Sequence, residues 1–254
     1  MKQYQTAFFD MDGTLLDTSE GILNSLEYTI RKLGLPVPDQ QTLRSFIGPP
    51  LRDSVRRVYG LPQADTEPQV SGLSQADTKW RVSGLSQADT EQFVRIFRQE
   101  YEQNQICHAS LYPGVLESLQ RLRSNGIFTA VATNKPQEQA DDLVKLSGME
   151  HLLDAVYGCD AAGEVDKGIR IRQAMQQYGA GANGVLAGDT ASDAYGAAAG
   201  GVDLIGVLYG FGFSDEKDAA AAGAVFAARS FADAVDYILG TYEMDQAKGL
   251  RRAL

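Results

Sequence analysis

Two aspartates separated by one residue follow a short apolar segment near the start of the chain. Asp10 and Asp12 come directly after the apolar segment Thr6–Phe9. An apolar segment of this length predicts a buried parallel strand, and open α/β sheets bind their ligands beyond the carboxyl ends of such strands. Gly13 allows the sharp turn that directs both carboxylates towards that edge. The pair therefore indicates catalytic chemistry.

Calcium loops and simple turns also contain closely spaced aspartates. An EF-hand loop needs glycine at its sixth position and a carboxylate at its twelfth. Counted from Asp10, those positions are Leu15 and Gly21, so the EF-hand is excluded. The remaining alternative is a solvent-exposed turn, in which the two aspartates would have no functional role.

Polar residues also follow two later apolar segments. Thr133 and Asn134 come after a predicted strand over Phe128–Ala132 and offer a hydroxyl and backbone amides, although an ordinary turn or helix cap has the same sequence pattern. Asp189 and Asp193 come after the strand Val185–Ala187.

Asp189 and Asp193 are four residues apart and would share one face of a helix that began there. A helix cap with a solvated acid is the alternative. Small residues over 194–201 would allow close packing beside these acids, and Lys167, ahead of a predicted helix, is a candidate positive charge.

Short apolar segments alternate with helical patterns at the start of the chain and again after Gly114. Such alternation predicts an α/β fold with a parallel sheet covered by helices. The predicted strands are Thr6–Phe9, Phe128–Ala132, Ala155–Tyr157, Val185–Ala187, Leu204–Leu208 and Ala224–Ala227.

The segment between the first and second predicted strands has a helical pattern. Apolar residues recur at helical spacing over 22–33 and again over 93–101. We expect a catalytic core formed by residues 1–16 and 108–254, with residues 17–107 inserted as a helical domain.

The inserted segment contains a tandem repeat of period twelve within residues 60–95. Each copy has the form Gly-Leu-(Pro/Ser)-Gln-Ala-Asp-Thr, and Ser86 with Asp89 predicts a capping box in the third copy. A local duplication that lengthens one connection explains the repeat. A contact surface for a partner, with Trp80 at its centre, is the functional alternative.

Composition excludes several classes of protein. The net charge of −10 argues against a nucleic-acid surface, and no apolar segment is long enough to span a bilayer. Cys107 and Cys159 form no metal or redox motif, which suggests a reducing cytoplasm. We expect no nucleic-acid or membrane partner and either a monomer or a homodimer.

The motifs together resemble the haloacid dehalogenase superfamily, in its phosphoglycolate phosphatase-like branch. Asp10–Thr14 matches the first motif of that superfamily, and Thr133, Lys167 and Gly188-Asp189 with Asp193 match the second, third and fourth. The resemblance implies a Rossmann-like core with an inserted helical cap of the first type. It also implies that the loop containing Gly48 and Pro49 faces the substrate.

The resemblance implies a Mg²⁺-dependent phosphatase acting on a small phosphorylated metabolite. Asp10 would be the nucleophile and Asp12 the general acid and base. Asp10, the Asp12 carbonyl and Asp189 would hold Mg²⁺. The remaining roles would be phosphate binding by Gly13, Thr14, Thr133 and Asn134, charge neutralisation by Lys167, and orientation of Lys167 or a metal-bound water by Asp193.

Several functions stay open at this point. Phosphoglycolate is the first substrate to test, and nucleoside monophosphates and pyrophosphate compete with it. A sugar phosphomutase shares the acid and base, but the histidine that β-phosphoglucomutases carry after the first motif is absent. A non-catalytic phosphate-binding protein is the alternative from another class.

Overall fold

A computed structural model describes residues 3–60, 84–159, 166–178, 183–245 and 250–253. The strands are β1 (Thr6–Phe9), β2 (Leu16–Asp17), β3 (Ser110–Leu111), β4 (Phe128–Pro136), β5 (Ala155–Cys159), β6 (Gly184–Gly188), β7 (Asp203–Val207), β8 (Ala224–Ala228), β9 (Tyr242–Asp245) and β10 (Leu250–Ala253). The helices are α1 (Ser19–Lys32), α2 (Gln40–Arg44), α3 (Leu51–Tyr59), α4 (Gln87–Glu100), α5 (Val115–Ser124), α6 (Gln137–Leu146), α7 (Lys167–Tyr178), α8 (Ala191–Gly200), α9 (Glu216–Ala221) and α10 (Phe231–Leu239).

The chain divides into two compact units. The sheet unit consists of Met1–Asp17 with Ser110–Leu254, and the helical unit consists of Thr18–Ala109. No helix in the described ranges is both long and apolar enough to cross a membrane.

The sheet unit is built on six parallel strands in the order β5-β4-β1-β6-β7-β8. All six strands predicted from the sequence are present, so the α/β prediction is confirmed. Strand β1 lies between β4 and β6. The loops that leave the carboxyl ends of these three strands are therefore neighbours.

Two adjacent phenylalanines in β1 explain why the sheet needs helices on both faces. Side chains alternate between the two faces of a strand, and Phe8 and Phe9 are both fully buried. Phe8 packs with Ile171 of α7 and Ala197 of α8. Phe9 faces the opposite side, where its ring meets that of Phe231 in α10 at 5.2 Å.

Strand β4 is longer than predicted. It continues to Pro136, through Thr133 and Asn134, where the sequence pattern indicated a turn or cap. The pairing with β5 shifts register between Ala132 and Pro136, and this irregularity extends the strand beyond its apolar residues. The polar residues thus lie on extended backbone.

The described part of the helical unit matches the predicted periodicity. Ile22, Leu26 and Ile30 lie on the buried face of α1, and Phe93 and Val94 lie on that of α4. In the third copy of the repeat, the predicted capping box is confirmed, because Ser86 and Asp89 exchange side-chain-to-backbone hydrogen bonds.

Most of the first two repeat copies, residues 61–83 with Trp80, lie outside the described residues.

Glycines allow α7 and α8 to pack closely. A Cβ atom on Gly168 would lie 3.0 Å from the Gly196 carbonyl oxygen and would collide with the Cβ of Ala199. A Cβ atom on Gly200 would lie 2.7 Å from Ile171. The expected close packing of small residues over 194–201 is confirmed, and Lys167 begins one of these two helices.

Gly168→Ala tests this packing. Alanine is the better helix former, but the collision with α8 should dominate and lower the free energy of unfolding by about 1–3 kcal/mol. Urea denaturation measures the change. Gln173→Ala, on the exposed side of α7, should stay within about 0.5 kcal/mol of wild type. Equal stability of Gly168→Ala and wild type would contradict tight packing.

Candidate active site

The segments that follow two neighbouring strands bring the acidic residues together. Asp10 follows β1, and its backbone N–H donates to the Ala187 carbonyl of β6 at 2.9 Å. Asp189 follows β6 directly. The side chains of Asp10, Asp189 and Asp193 are all buried, and each offers one oxygen within 4.8 Å of the others.

Lys167 joins two of these acids. Its ammonium group donates to Asp10 Oδ1 at 2.8 Å and to Asp193 Oδ1 at 2.5 Å. Burial alone would lower the pKa of Lys167, but the two carboxylates outweigh burial and raise that pKa above its usual value. Lys167 therefore stays charged.

Asp10 is under opposing influences. Burial and then the nearby Asp193 carboxylate raise the pKa of Asp10, while Lys167 lowers it, and the result is a pKa of about 7. A bound cation would favour the carboxylate form, because positive charge stabilises the anion. Asp10 is thus a carboxylate whose ionisation depends on the charges around it.

Asp193 holds the start of helix α8. Its Oδ2 accepts hydrogen bonds from the Thr190 backbone N–H at 2.9 Å and the Thr190 hydroxyl at 2.8 Å. The helix begins at Ala191, so the prediction that Asp189 and Asp193 share one helical face was wrong. Asp189 lies before the helix, and Asp193 is the third residue within it.

Asp189 is the acid of the cluster that is not paired with a basic side chain in the described ranges. It is fully buried, and no lysine or arginine of the described residues lies within 4.0 Å of its carboxylate. Burial, followed by Asp193 and Asp10, raises the pKa of Asp189 well above its usual value. A buried acid of this kind is favourable when a cation neutralises it.

The donor set fits a hard divalent cation. Carboxylate oxygens are the protein ligands that Mg²⁺ and Ca²⁺ prefer. Asp193 accepts three hydrogen bonds of 2.5–2.9 Å across its two oxygens. Asp10 accepts one short bond, from Lys167. Asp189 accepts one short bond, from Phe211, with a longer contact of 3.4 Å to Thr14. Asp10 and Asp189 are therefore the better placed ligands. The Asp12 carboxylate is not part of the cluster.

Two basic residues of the site were missed by the sequence analysis. The Lys135 ammonium lies 3.3 Å from Asp12 Oδ1, and both side chains are largely buried. Arg170 donates to the Thr133 carbonyl at 3.0 Å. Alternation along β4 could have placed Lys135 with Thr133, and helical spacing could have placed Arg170 with Lys167.

Thr133 and Asn134 point in different directions. Thr133 is buried, and its hydroxyl oxygen accepts from the Lys135 backbone N–H at 3.2 Å. The Asn134 side chain donates to the Ser192 hydroxyl at 2.9 Å. Phosphate binding by these two residues stays a prediction.

The turn after Asp12 requires glycine. Gly13 has a φ of +83°, and a side chain there would also collide with the Asp189 carboxylate. Thr14 Oγ1 lies 3.4 Å from Asp189 Oδ1. The loop after β1 is thus packed against the acid that follows β6.

Gly48 and Pro49 belong to the helical unit, in the loop between α2 and α3. Gly48 has a φ of +101°, which favours glycine. Contact between this loop and a substrate stays a prediction.

The sheet is parallel and covered by helices, and a buried aspartate–lysine pair and a cation-compatible acid cluster lie at its carboxyl edge. This arrangement is that of a Rossmann-like α/β enzyme. The chain belongs to the haloacid dehalogenase-like hydrolase family, whose model matches residues 7–207.

The chain is also similar in sequence to individual phosphatases. The chain is 32% identical over 216 residues to a 5'-nucleotidase from Pseudomonas aeruginosa, covering 84% of this chain and 87% of that protein. It is 26% identical over 238 residues to a phosphoglycolate phosphatase from Chromobacterium violaceum, covering 93% and 97%.

A solved haloacid dehalogenase-like hydrolase from Streptococcus pneumoniae has the same fold. Its TM-score is 0.76 at 29% identity, covering 93% of this chain and 99% of that one. The predicted superfamily and its phosphoglycolate phosphatase-like branch are confirmed, and the chain is a hydrolase with phosphatase relatives.

Asp189→Asn should stabilise the metal-free protein. Burial raises the pKa of Asp189, so at neutral pH folding must either bury its charge or take up a proton, and both cost free energy. Asparagine removes this cost, and its amide oxygen can still accept a hydrogen bond. In EDTA we expect a gain of about 1 kcal/mol, or a midpoint of thermal unfolding about 2–4 °C higher.

Differential scanning calorimetry measures this effect, and Asp142→Asn at an exposed position of α6 is the control. A lower midpoint for Asp189→Asn than for the control would show that the charge is well accommodated without a cation.

Proposed function

We propose that the protein is a Mg²⁺-dependent phosphomonoester hydrolase that forms a phosphoenzyme on Asp10. The observation that carries this proposal is the burial of Asp10 beside Lys167 and within reach of Asp189, with a second acid, Asp12, two residues away. A nucleophile, a proton carrier and cations around the phosphoryl group are what phosphoryl transfer requires.

In the first step, a carboxylate oxygen of Asp10 attacks phosphorus and the bond to the ester oxygen breaks. Lys167 binds Asp10 Oδ1, so Oδ2 is the better placed nucleophile. Asp12 gives its proton to the departing alkoxide, which leaves as the alcohol. Thr133 and the Asn134 backbone amide bind oxygens of the transferred group in this proposal.

In the second step, Asp12 accepts a proton from water, and the resulting hydroxide attacks phosphorus. The bond to Asp10 breaks, inorganic phosphate leaves, and both aspartates return to their starting states. Lys167 keeps one positive charge beside Asp10 throughout.

Asp10 and Asp189, with the Asp12 carbonyl, would hold the cation. Mg²⁺ supplies positive charge that offsets repulsion between the phosphate and the aspartates. Oxygen donors fit Mg²⁺.

Asp10→Asn tests the nucleophile. An amide is a poor nucleophile, so Mg²⁺-dependent phosphate release from p-nitrophenyl phosphate should fall by about 10³-fold or more. Asp142→Asn should keep full activity. Wild-type protein quenched during turnover should carry one acid-stable, base-labile phosphoryl group on the peptide containing residue 10, detected by mass spectrometry.

A labelled peptide elsewhere in the chain, or substantial turnover by Asp10→Asn, would overturn the mechanism.

Two substrate classes are supported by relatives. Similarity to a phosphoglycolate phosphatase favours a small carboxylated phosphate ester, and the higher identity to a 5'-nucleotidase favours nucleoside monophosphates. A screen that measures phosphate release from both classes, from pyrophosphate and from hexose phosphates separates them. Isomerisation of a hexose phosphate without phosphate release would indicate a mutase, and no reaction with any compound would indicate a binding protein.

Lys135→Met tests whether the Lys135 ammonium, 3.3 Å from Asp12 Oδ1, orients Asp12 so that its other oxygen can carry the proton. Loss of Lys135 should lower kcat/KM, which reports formation of the phosphoenzyme, by about 10-fold or more for an alkyl phosphate, whose leaving group needs a proton. For p-nitrophenyl phosphate the loss should be much smaller, because nitrophenolate leaves without protonation. Lys145→Met, at an exposed position of α6, is the control. Equal losses for the two esters would argue against a role through Asp12.

A further inference from the structure

The loop after β7 contacts Asp189 through its backbone. This glycine–aromatic loop, Tyr209–Phe213, has the sequence Tyr-Gly-Phe-Gly-Phe. The Phe211 N–H donates to Asp189 Oδ2 at 2.7 Å, and the Phe213 N–H donates to the Asp189 carbonyl at 2.8 Å. Both the side chain and the backbone of Asp189 are therefore held by one loop.

The two glycines of the loop allow this approach. A Cβ atom on Gly210 would lie 2.5 Å from Asp189 Oδ2 and 2.5 Å from the Gly13 carbonyl oxygen. A Cβ atom on Gly212 would lie 2.5 Å from the Asp189 carbonyl oxygen. A side chain at either position would force the loop away from Asp189.

The first aromatic residue ties the same loop to the turn after β1. The Tyr209 hydroxyl donates to the Thr14 carbonyl at 2.8 Å, and its ring meets that of Tyr112 edge-on at 4.7 Å. Burial, followed by the Asp189 carboxylate, raises the pKa of Tyr209 well above its usual value. Tyr209 thus remains a neutral hydrogen-bond donor.

From these contacts we infer that the glycine–aromatic loop is a positioning element for cation binding, with Gly210 and Tyr209 as its positioning residues. The Phe211 N–H binds Oδ2 of Asp189 at 2.7 Å, whereas Oδ1 has a longer contact of 3.4 Å with the Thr14 hydroxyl. Oδ1 is therefore the oxygen better placed for the cation. Loss of a group that orients a metal-binding side chain in this way commonly weakens metal binding by about 10–100-fold. The inference rests on the proposed function.

The test compares two Gly→Ala variants of the full chain. Gly210→Ala places a methyl group against Asp189. Gly206→Ala, in the preceding strand, places one 2.7 Å from the Cβ of Ala219 and away from the acids. Both overpack this part of the sheet unit, so both should unfold at a lower temperature.

Cation binding distinguishes the two variants. Titration calorimetry with Mg²⁺, repeated with Mn²⁺, should give about 10–100-fold weaker binding for Gly210→Ala and wild-type binding for Gly206→Ala. Tyr209→Phe, which removes a single hydroxyl, should bind severalfold more weakly and still fold. Compared with wild type, phosphate release by Gly210→Ala and Tyr209→Phe should be reduced strongly at limiting Mg²⁺ and much less at saturating Mg²⁺.

Each unfavourable outcome has a separate meaning. Wild-type cation affinity in both Gly210→Ala and Tyr209→Phe would overturn the positioning role. Equal losses of affinity in Gly210→Ala and Gly206→Ala would assign the loop a merely structural role, which also overturns it. If Gly210→Ala does not fold, Tyr209→Phe decides alone. Unchanged cation affinity in Asp189→Asn would instead refute the metal site of the proposed function.

Discussion

One buried ammonium group connects segments that are far apart in the sequence. Lys167, on α7, bonds to Asp10 after β1 and to Asp193 on α8. A buried lysine is unfavourable unless acids pair with it, and a buried acid is unfavourable unless a cation pairs with it. The three side chains therefore depend on one another. Glycines at the interface of α7 and α8 allow these helices to approach closely enough for Lys167 to reach Asp193.

The parallel sheet supplies the geometry that this contact requires. In a parallel sheet all strands end at the same edge, and β1 lies between β4 and β6. Asp10, Thr133 and Asp189 therefore lie near the carboxyl ends of neighbouring strands, although more than 100 residues separate the first from the others. Phe8 and Phe9 anchor β1 by packing on opposite faces of the sheet, so the strand that carries Asp10 is fixed from both sides.

The strands could be predicted because each is a short apolar segment buried on both faces. The acids could be predicted as site candidates because charged residues directly after such strands have few structural uses. The end of β4 could not, because its pairing with β5 continues through polar residues after a change of register. Local patterns describe what a segment prefers, and the register between strands is a tertiary property.

The partners of the acids were harder to predict for a related reason. Asp189 accepts a hydrogen bond from the backbone N–H of Phe211. Every residue except proline has such a donor, so the residue type does not reveal it. Gly210 is visible in the sequence as a glycine, but only the fold shows that its missing side chain makes room for Asp189. The ion pair between Lys135 and Asp12 likewise depends on how far β4 extends.

The acid cluster and the twelve-residue repeat belong to different units of this chain. The contacts described for Asp10, Asp189 and Asp193 come from the sheet unit, whereas the twelve-residue repeat lies in the segment of the helical unit. Added copies of the repeat leave the residues bonded to these three acids unchanged. The charges that the proposed reaction needs are therefore independent of the number of repeat copies.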